Sequence, residues 1–138
     1  MIEMLALLIC ALFLVFIAIN TYGWFFSRML FWHELSVVYR CSRSEFKGIP
    51  DRHIIESSFI YNVDNEWVST NFIDTKVIGD YVYFGVNCGL ILTVRPIKVL
   101  KSDCVLLGEE RAYFRKRKVY LIPSCDGFQR KVAMVDAL

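Results

Sequence analysis

The stretch MLALLICALFLVFIAI, residues 4–19, decides the architecture of this chain: sixteen successive side chains without a charge or a hydroxyl. The run continues through Asn20, Thr21, Tyr22 and Gly23 into Trp24, Phe25 and Phe26, and the first basic residue is Arg28. A helix from Met4 to Phe26 would be about 35 Å long at 1.5 Å per residue, enough to cross a hydrocarbon layer of about 30 Å. It would be apolar on every face, so it has no side to turn to water. In lipid a single segment must satisfy its own backbone, and only a helix does so. The expectation is an N-terminal transmembrane anchor over residues 1–27, carried by Met4, Leu8, Leu12, Phe16, Ile19, Trp24 and Phe26. Tyr22, Trp24 and Trp32 suit an aromatic belt at the exit interface.

A cleaved secretory signal fits less well. The residues before the run lack Lys and Arg and include Glu3, the apolar stretch exceeds 7–15 residues, and no small-x-small site precedes Arg28. Orientation follows from charge asymmetry: Glu3 on one side, Arg28, Arg40, Arg43 and Lys47 on the other. The positive-inside rule then places the bulk of the chain in the cytoplasm, at the cell inner membrane, as a single-pass protein. A cytoplasmic location implies reduced thiols. On the opposite side, Cys41, Cys88, Cys104 and Cys125 could form two disulfides with three connectivities.

Composition agrees with one anchor plus one domain. The chain has 138 residues, 56% of them apolar, and a mean hydropathy of +0.42. That apolar fraction exceeds the usual 45–50%, and the excess sits in the first thirty residues. Net charge is +2, too mild for a dedicated nucleic-acid binder, and no nucleic acid is expected as partner.

Beyond the anchor, residues 28–47 read as a juxtamembrane helix or interfacial segment, with the aromatic residues of Phe31–Arg40 resting among headgroups. Gly48-Ile49-Pro50-Asp51 ends it. Residues 48–138 read as a β-rich globular domain, giving an α+β chain with a mainly antiparallel sheet. Strands are expected at His53–Tyr61, Glu66–Thr70, Lys98–Leu100, Cys104–Leu107, Arg111–Phe114 and Lys118–Ile122. Tyr81–Val86 and Leu90–Val94 are expected to form a hairpin across Asn87-Cys88-Gly89. Gly108-Glu109-Glu110 and residues 123–127 are expected as turns. Lys131–Leu138 suits a terminal strand or a helical turn.

Residues 83–92 (YFGVNCGLIL), followed by 96–103 (PIKVLKSD), resemble a pattern in small bacterial proteins of unassigned activity, where a GLYL strand leads into a PPLxIPWSE segment. Trp32, Leu35 and Tyr39 share the W-x-x-L-x-x-x-Y spacing of that family. Leu100-Lys101 stands where its Pro-Trp pair falls. The resemblance implies a bacterial source and no particular chemistry. The strand run before a turn is also similar to pleckstrin-homology and GRAM-like barrels, which implies a small closed barrel.

No motif here carries catalysis or a cofactor, and neither is expected. His33 and His53 are the only histidines, and the cysteines are too widely spaced for a zinc motif. Cys41 lies between Arg40 and Arg43, a basic setting that would lower a thiol pKa, but no second feature supports a nucleophile and a buried or idle cysteine is the expectation. Asp64, Glu66, Asp74 and Asp80 fall where turns are expected. Gly85 and Gly89 lack the remainder of a phosphate loop. The feature that asks for a counter-surface is Arg115-Lys116-Arg117-Lys118, with Arg111 nearby. It could meet anionic lipid, nucleic acid, an acidic protein, or only water at a hairpin tip, where its charges would guard a sheet edge. The expected function is a membrane-tethered binding or accessory module that engages a protein partner. A toxin-neutralising immunity-type protein and an anionic-lipid-binding domain are the alternatives, ahead of an enzyme acting on lipid or envelope substrates.

Overall fold

The computed structural model describes residues 1–29, 32–63, 66–70, 72–87, 90–112, 115–123 and 130–134. Helix α1 runs Ile2–Met29 and is long and apolar enough to cross a membrane. From Ile2 to Ile19 its side chains are exposed, except Phe16 and Ile19, which are half-buried. Its last turns pack on the domain. Phe26 is 7% exposed, and its ring meets those of Phe72 and Trp32 at 5.0 and 6.3 Å. Phe26 thus belongs to the protein interior and not to the outward-facing anchor set.

Helix α2 (Trp32–Val38) is a separate short helix. It turns Trp32 and Leu35 wholly inward, and the Trp32 indole N–H donates to the Arg95 carbonyl at 2.6 Å. Trp32 is therefore a core residue and not part of an aromatic belt, its one polar atom paired with a backbone carbonyl. Helix α3 (Arg43–Gly48) starts at Ser42, whose hydroxyl accepts the Glu45 N–H at 3.1 Å. The S-x-x-E spacing of Ser42 and Glu45 is the signature of a capping box. Phe46 anchors this helix to the domain.

Among the described residues nine strands follow: β1 (Ile54–Ile55), β2 (Ser57–Val63), β3 (Glu66–Thr70), β4 (Asp74–Ile78), β5 (Tyr81–Gly85), β6 (Ile97–Leu100), β7 (Val105–Ala112), β8 (Arg115–Ile122) and β9 (Arg130–Met134). They make two antiparallel sheets, ordered β1-β4-β5-β6 and β3-β2-β9-β8-β7. The fold is thus α+β, and among the described residues neither sheet closes into the expected barrel. The core lies between them. Phe59, Tyr120, Ile122, Val132 and Met134 come from one sheet, and Val82, Phe84, Ile97 and Val99 from the other. Edge-to-face rings link Trp32, Phe59 and Phe84 at 5.4 and 5.2 Å. A hydrogen bond of 2.7 Å between the Ser57 and Thr75 hydroxyls ties the sheets at their margin.

Three sequence expectations change. Residues 90–94 are no strand; β5 pairs instead with β6, Tyr81 opposite Leu100 and Phe84 opposite Ile97. The apolar 90–94 segment packs on α1, so its hydrophobicity serves a helix contact and not a sheet. Gly108-Glu109-Glu110 is no turn but the middle of β7, with a register shift between Leu106 and Gly108 and Ala112 opposite Arg115. Asp74 opens β4, where a turn was expected: Thr75 and Val77 interleave with Phe84 and Val82 on the neighbouring strand. The turn falls at Gly79 and Asp80, where Gly79 adopts φ 58°, which glycine tolerates best.

Candidate functional site

Three polar arrangements stand out from the sheet framework. The first surrounds Lys76, which is fully buried on β4. Its ammonium donates to the Phe46 and Ile49 carbonyls at 2.9 and 3.1 Å and to Asn87 Oδ1 at 3.1 Å, and it lies 4.3 Å from the Phe46 ring centroid. Each ammonium proton meets an acceptor, which is what allows the charge to be buried. Asn87 is held in turn: its backbone N–H donates to Asp74 and its side-chain N–H to Asp51. Lys76 therefore fastens α3 and its exit loop to the first sheet.

Glu45 organises the second arrangement. It accepts from Lys98 Nζ at 2.9 Å and from Tyr83 Oη at 3.4 Å, and Cys41 Sγ lies 3.7 Å from its other oxygen. Lys98 also sits over the Tyr81 ring at 4.2 Å. The Lys98 hydrogen bond holds the Glu45 carboxyl below its usual pKa, and the same bond raises Lys98. Burial pushes the Cys41 thiol up to about 12, and the Glu45 charge adds to the shift. The lowering that Arg40 and Arg43 would give is thus overcome, because burial, and then Glu45 adjoining it in space, disfavours the thiolate. At pH 8.5 the thiolate population is far below that of a thiol at the ordinary value of 9.0. Weighing that loss against the greater nucleophilicity of the more basic thiolate, alkylation of Cys41 by iodoacetamide should run roughly thirtyfold slower than that of an unperturbed thiol. Mass-resolved labelling rates check this; a Cys41 rate equal to that of an exposed reference peptide would contradict it. Cys104, likewise a free thiol, is pushed up to about 11 by burial and then by Asp103.

The third arrangement contains the basic run. Arg115 and Arg117 point to one face of β8 and converge on Glu56: Arg115 Nη1 reaches Oε2 at 2.6 Å and Arg117 Nη2 reaches Oε1 at 3.7 Å. Arg117 is buried and also donates to the Ser58 hydroxyl at 2.8 Å. Glu110 stands opposite Arg117 in register and Glu109 opposite Lys118, whereas Arg111 stands opposite Lys116. Three carboxylates thus border the five cations, and opposite charges directly across a ladder stabilise it. Arg111 and Lys116 are exposed, and Lys118 is half-buried. Glu56 was not legible as a partner, lying 59 residues before Arg115.

Of the anchor residues, Met4, Leu8, Leu12 and Trp24 are exposed, Phe16 and Ile19 half-buried. Asp80 lies in the β4–β5 turn, and its carbonyl accepts the Lys101 N–H. Asp64 lies outside the described residues, as do Cys88, Gly89 and Cys125. Among the described residues no group of three or more His, Cys, Asp or Glu could hold a metal ion. Compared with known proteins, the chain matches no family model, no curated protein and no solved structure.

Proposed function

We propose that this protein is a single-pass, non-enzymatic binding module, tethered by α1 to the inner membrane with its domain on the cytoplasmic side. The tether is supported by the uninterrupted apolar surface of α1 from Met4 to Ile19. A water-exposed helix of that composition costs far more than one surrounded by lipid. Orientation rests on Arg28, Arg40, Arg43 and Lys47 against Glu3. The partner is a second protein, which adds a strand to β7.

The observation that carries the binding role is the state of β7. It lies at the end of its sheet and, among the described residues, is hydrogen-bonded to β8 alone. Val105, Leu106 and Leu107 are each about half exposed, so three successive apolar side chains border an open backbone edge. Soluble domains ordinarily guard such an edge, and here only the second half is guarded, by Glu109, Glu110 and Arg111. An extended segment can pair with the open half through main-chain bonds, with apolar side chains for specificity. The ion pairs of Arg115 and Arg117 with Glu56 favour this reading over lipid contact through β8.

In-cell photo-crosslinking tests it. A diazirine amino acid at Leu107 should yield one discrete heavier adduct, and the same group at Lys101 should not. Leu106→Glu should reduce the Leu107 adduct at least fivefold, since it puts a charge in the apolar contact. An adduct of twice the chain mass would replace the partner with a second copy, and none at Leu107 would remove the β7 contact.

A further inference from the structure

The segment Leu90–Arg95, apolar yet outside both sheets, is held against α1 by hydrogen bonds around one side chain. Asn20 Nδ2 donates to the Phe16 carbonyl and to the Leu90 carbonyl, both at 2.9 Å. Asn20 Oδ1 accepts the Leu92 N–H at 2.7 Å, and the Asn20 carbonyl accepts the Thr93 hydroxyl at 2.8 Å. Gly23, one turn on, leaves room for Thr93 and Val94 to lie against the helix. The segment therefore has a defined height along α1.

That height can be placed relative to a bilayer. Ile2 to Asn20 spans eighteen rises, or about 27 Å, against a hydrocarbon thickness of about 30 Å. If α1 crosses the bilayer, as the proposed function has it, Asn20 reaches the far hydrocarbon boundary and brings Leu90–Arg95 with it. Several features match this location. Leu90 and Leu92 are 60% and 45% exposed. Tyr22, Trp24 and Phe25 ring α1 at the same level, all exposed, as interfacial aromatic residues do. The polar atoms of the Asn20 side chain are paired within the protein, the condition for a carboxamide at the edge of lipid.

Two adjoining open surface grooves cross this level. The inner one, about 380 Å³, runs along α1 between Phe16, Ile17, Thr21 and Trp24, and is apolar apart from Asn20, Thr21 and Thr93. The outer one, about 220 Å³, shares Trp24 and Thr93 with it and adds Ser27, His33, Ser36 and Arg95. Arg95 is exposed and forms no ion pair among the described residues. An apolar groove that passes outward into a polar pocket bearing an unneutralised guanidinium matches the polarity sequence of one molecule: a glycerophospholipid, acyl chain inward and phosphate outward.

We propose that the junction of α1 with Leu90–Arg95 is a phospholipid-binding site with a preference for an anionic headgroup. Its acyl chain lies along Phe16–Trp24, and Arg95, with Ser27 and His33 alongside, faces the headgroup. The loop is thereby a second membrane contact, which fixes how the domain sits on the bilayer.

The experiment uses the full-length protein reconstituted in vesicles of equal phosphatidylglycerol and phosphatidylcholine, with a benzophenone amino acid at Leu92 or Leu8. After illumination, mass spectrometry should find phospholipid adducts at both positions. The Leu92 adduct should be enriched in phosphatidylglycerol by about fivefold, the gain of one basic residue at an anionic surface. Arg95→Ser should abolish the enrichment while the adduct itself remains. Adducts at Leu8 but none at Leu92 would overturn the site and leave the tether standing. Absence at both positions would overturn the tether and the site together, and an unenriched Leu92 adduct would overturn the anionic preference.

Discussion

Replacing Lys76 with Met should destabilise the domain by about 3 kcal/mol or more, although the aliphatic stem is kept and a charge is removed from the interior. A charge-free core is ordinarily the better one, and exchanging a buried ion pair for apolar residues is often neutral or stabilising. Here the partners are two carbonyls and an amide oxygen, which remain behind when the ammonium leaves. Each buried acceptor left unpaired costs about 1–3 kcal/mol. Loss of the ammonium–ring contact with Phe46 adds to this. For a domain of this size, 3 kcal/mol corresponds to a fall in Tm of roughly 15 °C. Thermal unfolding of the full-length protein in detergent, followed by near-UV circular dichroism, reads the shift. Lys116→Met is the reference: that side chain is exposed, so its removal should change stability by less than about 0.5 kcal/mol. Equal effects for the two variants would show that the Lys76 clamp does not hold α3 in place.

Gly23→Ala should destabilise the protein although it improves the helix. Alanine exceeds glycine in helix propensity by about 1 kcal/mol, so at most helical positions the substitution stabilises. At Gly23 the added Cβ would fall inside contact distance of Thr93 Oγ1 and 3.2 Å from Val94 Cγ2. Overpacking of this kind costs about 1–3 kcal/mol, and moving Thr93 also breaks its bond to the Asn20 carbonyl. The cost wins, and the Leu90–Arg95 segment separates from α1. Amide exchange of Leu92 is the direct readout, because its N–H is protected by Asn20 Oδ1. Exchange there should speed up about tenfold or more, the equivalent of 1.4 kcal/mol of lost docking. Gly48 provides the opposite sign: a Cβ there meets nothing within 4 Å, so Gly48→Ala should be neutral or slightly stabilising. A Gly23→Ala variant with unchanged Leu92 protection would mean that the seam is loose enough to absorb a methyl group.

These two residues show where the sequence runs out. Lysine is among the side chains least often buried, so Lys76 within DTKVI gives no sign of its location. Its interior position follows from carbonyls that lie 27 and 30 residues earlier in the chain. The basic run was legible as charge but not as a set of partners, because Glu56 reaches it only through sheet pairing. Lys131–Leu138 was ambiguous between strand and helical turn, and Arg130–Met134 is strand because β2 and β8 pair with it from either side. By contrast β3 matches its expected span of Glu66–Thr70, and β6 contains the expected Lys98–Leu100. In both, β-branched or apolar residues are bounded by turn or breaker residues close by, and local pattern is sufficient.

The sequence by itself determined that residues 4–19 form the apolar body of one helix long enough to cross a membrane and that much of the remainder folds with antiparallel strands. Hydrophobic transfer is a sum over neighbouring residues, and here every term in the window has the same sign. Only the tertiary structure decided that Trp32 and Phe26 face the core, that Lys76 is buried, and that residues 90–95 leave the sheets to join α1. Each of those outcomes depends on a donor, an acceptor or a ring supplied from a distant part of the chain, and a local window of sequence holds no record of which distant group arrives.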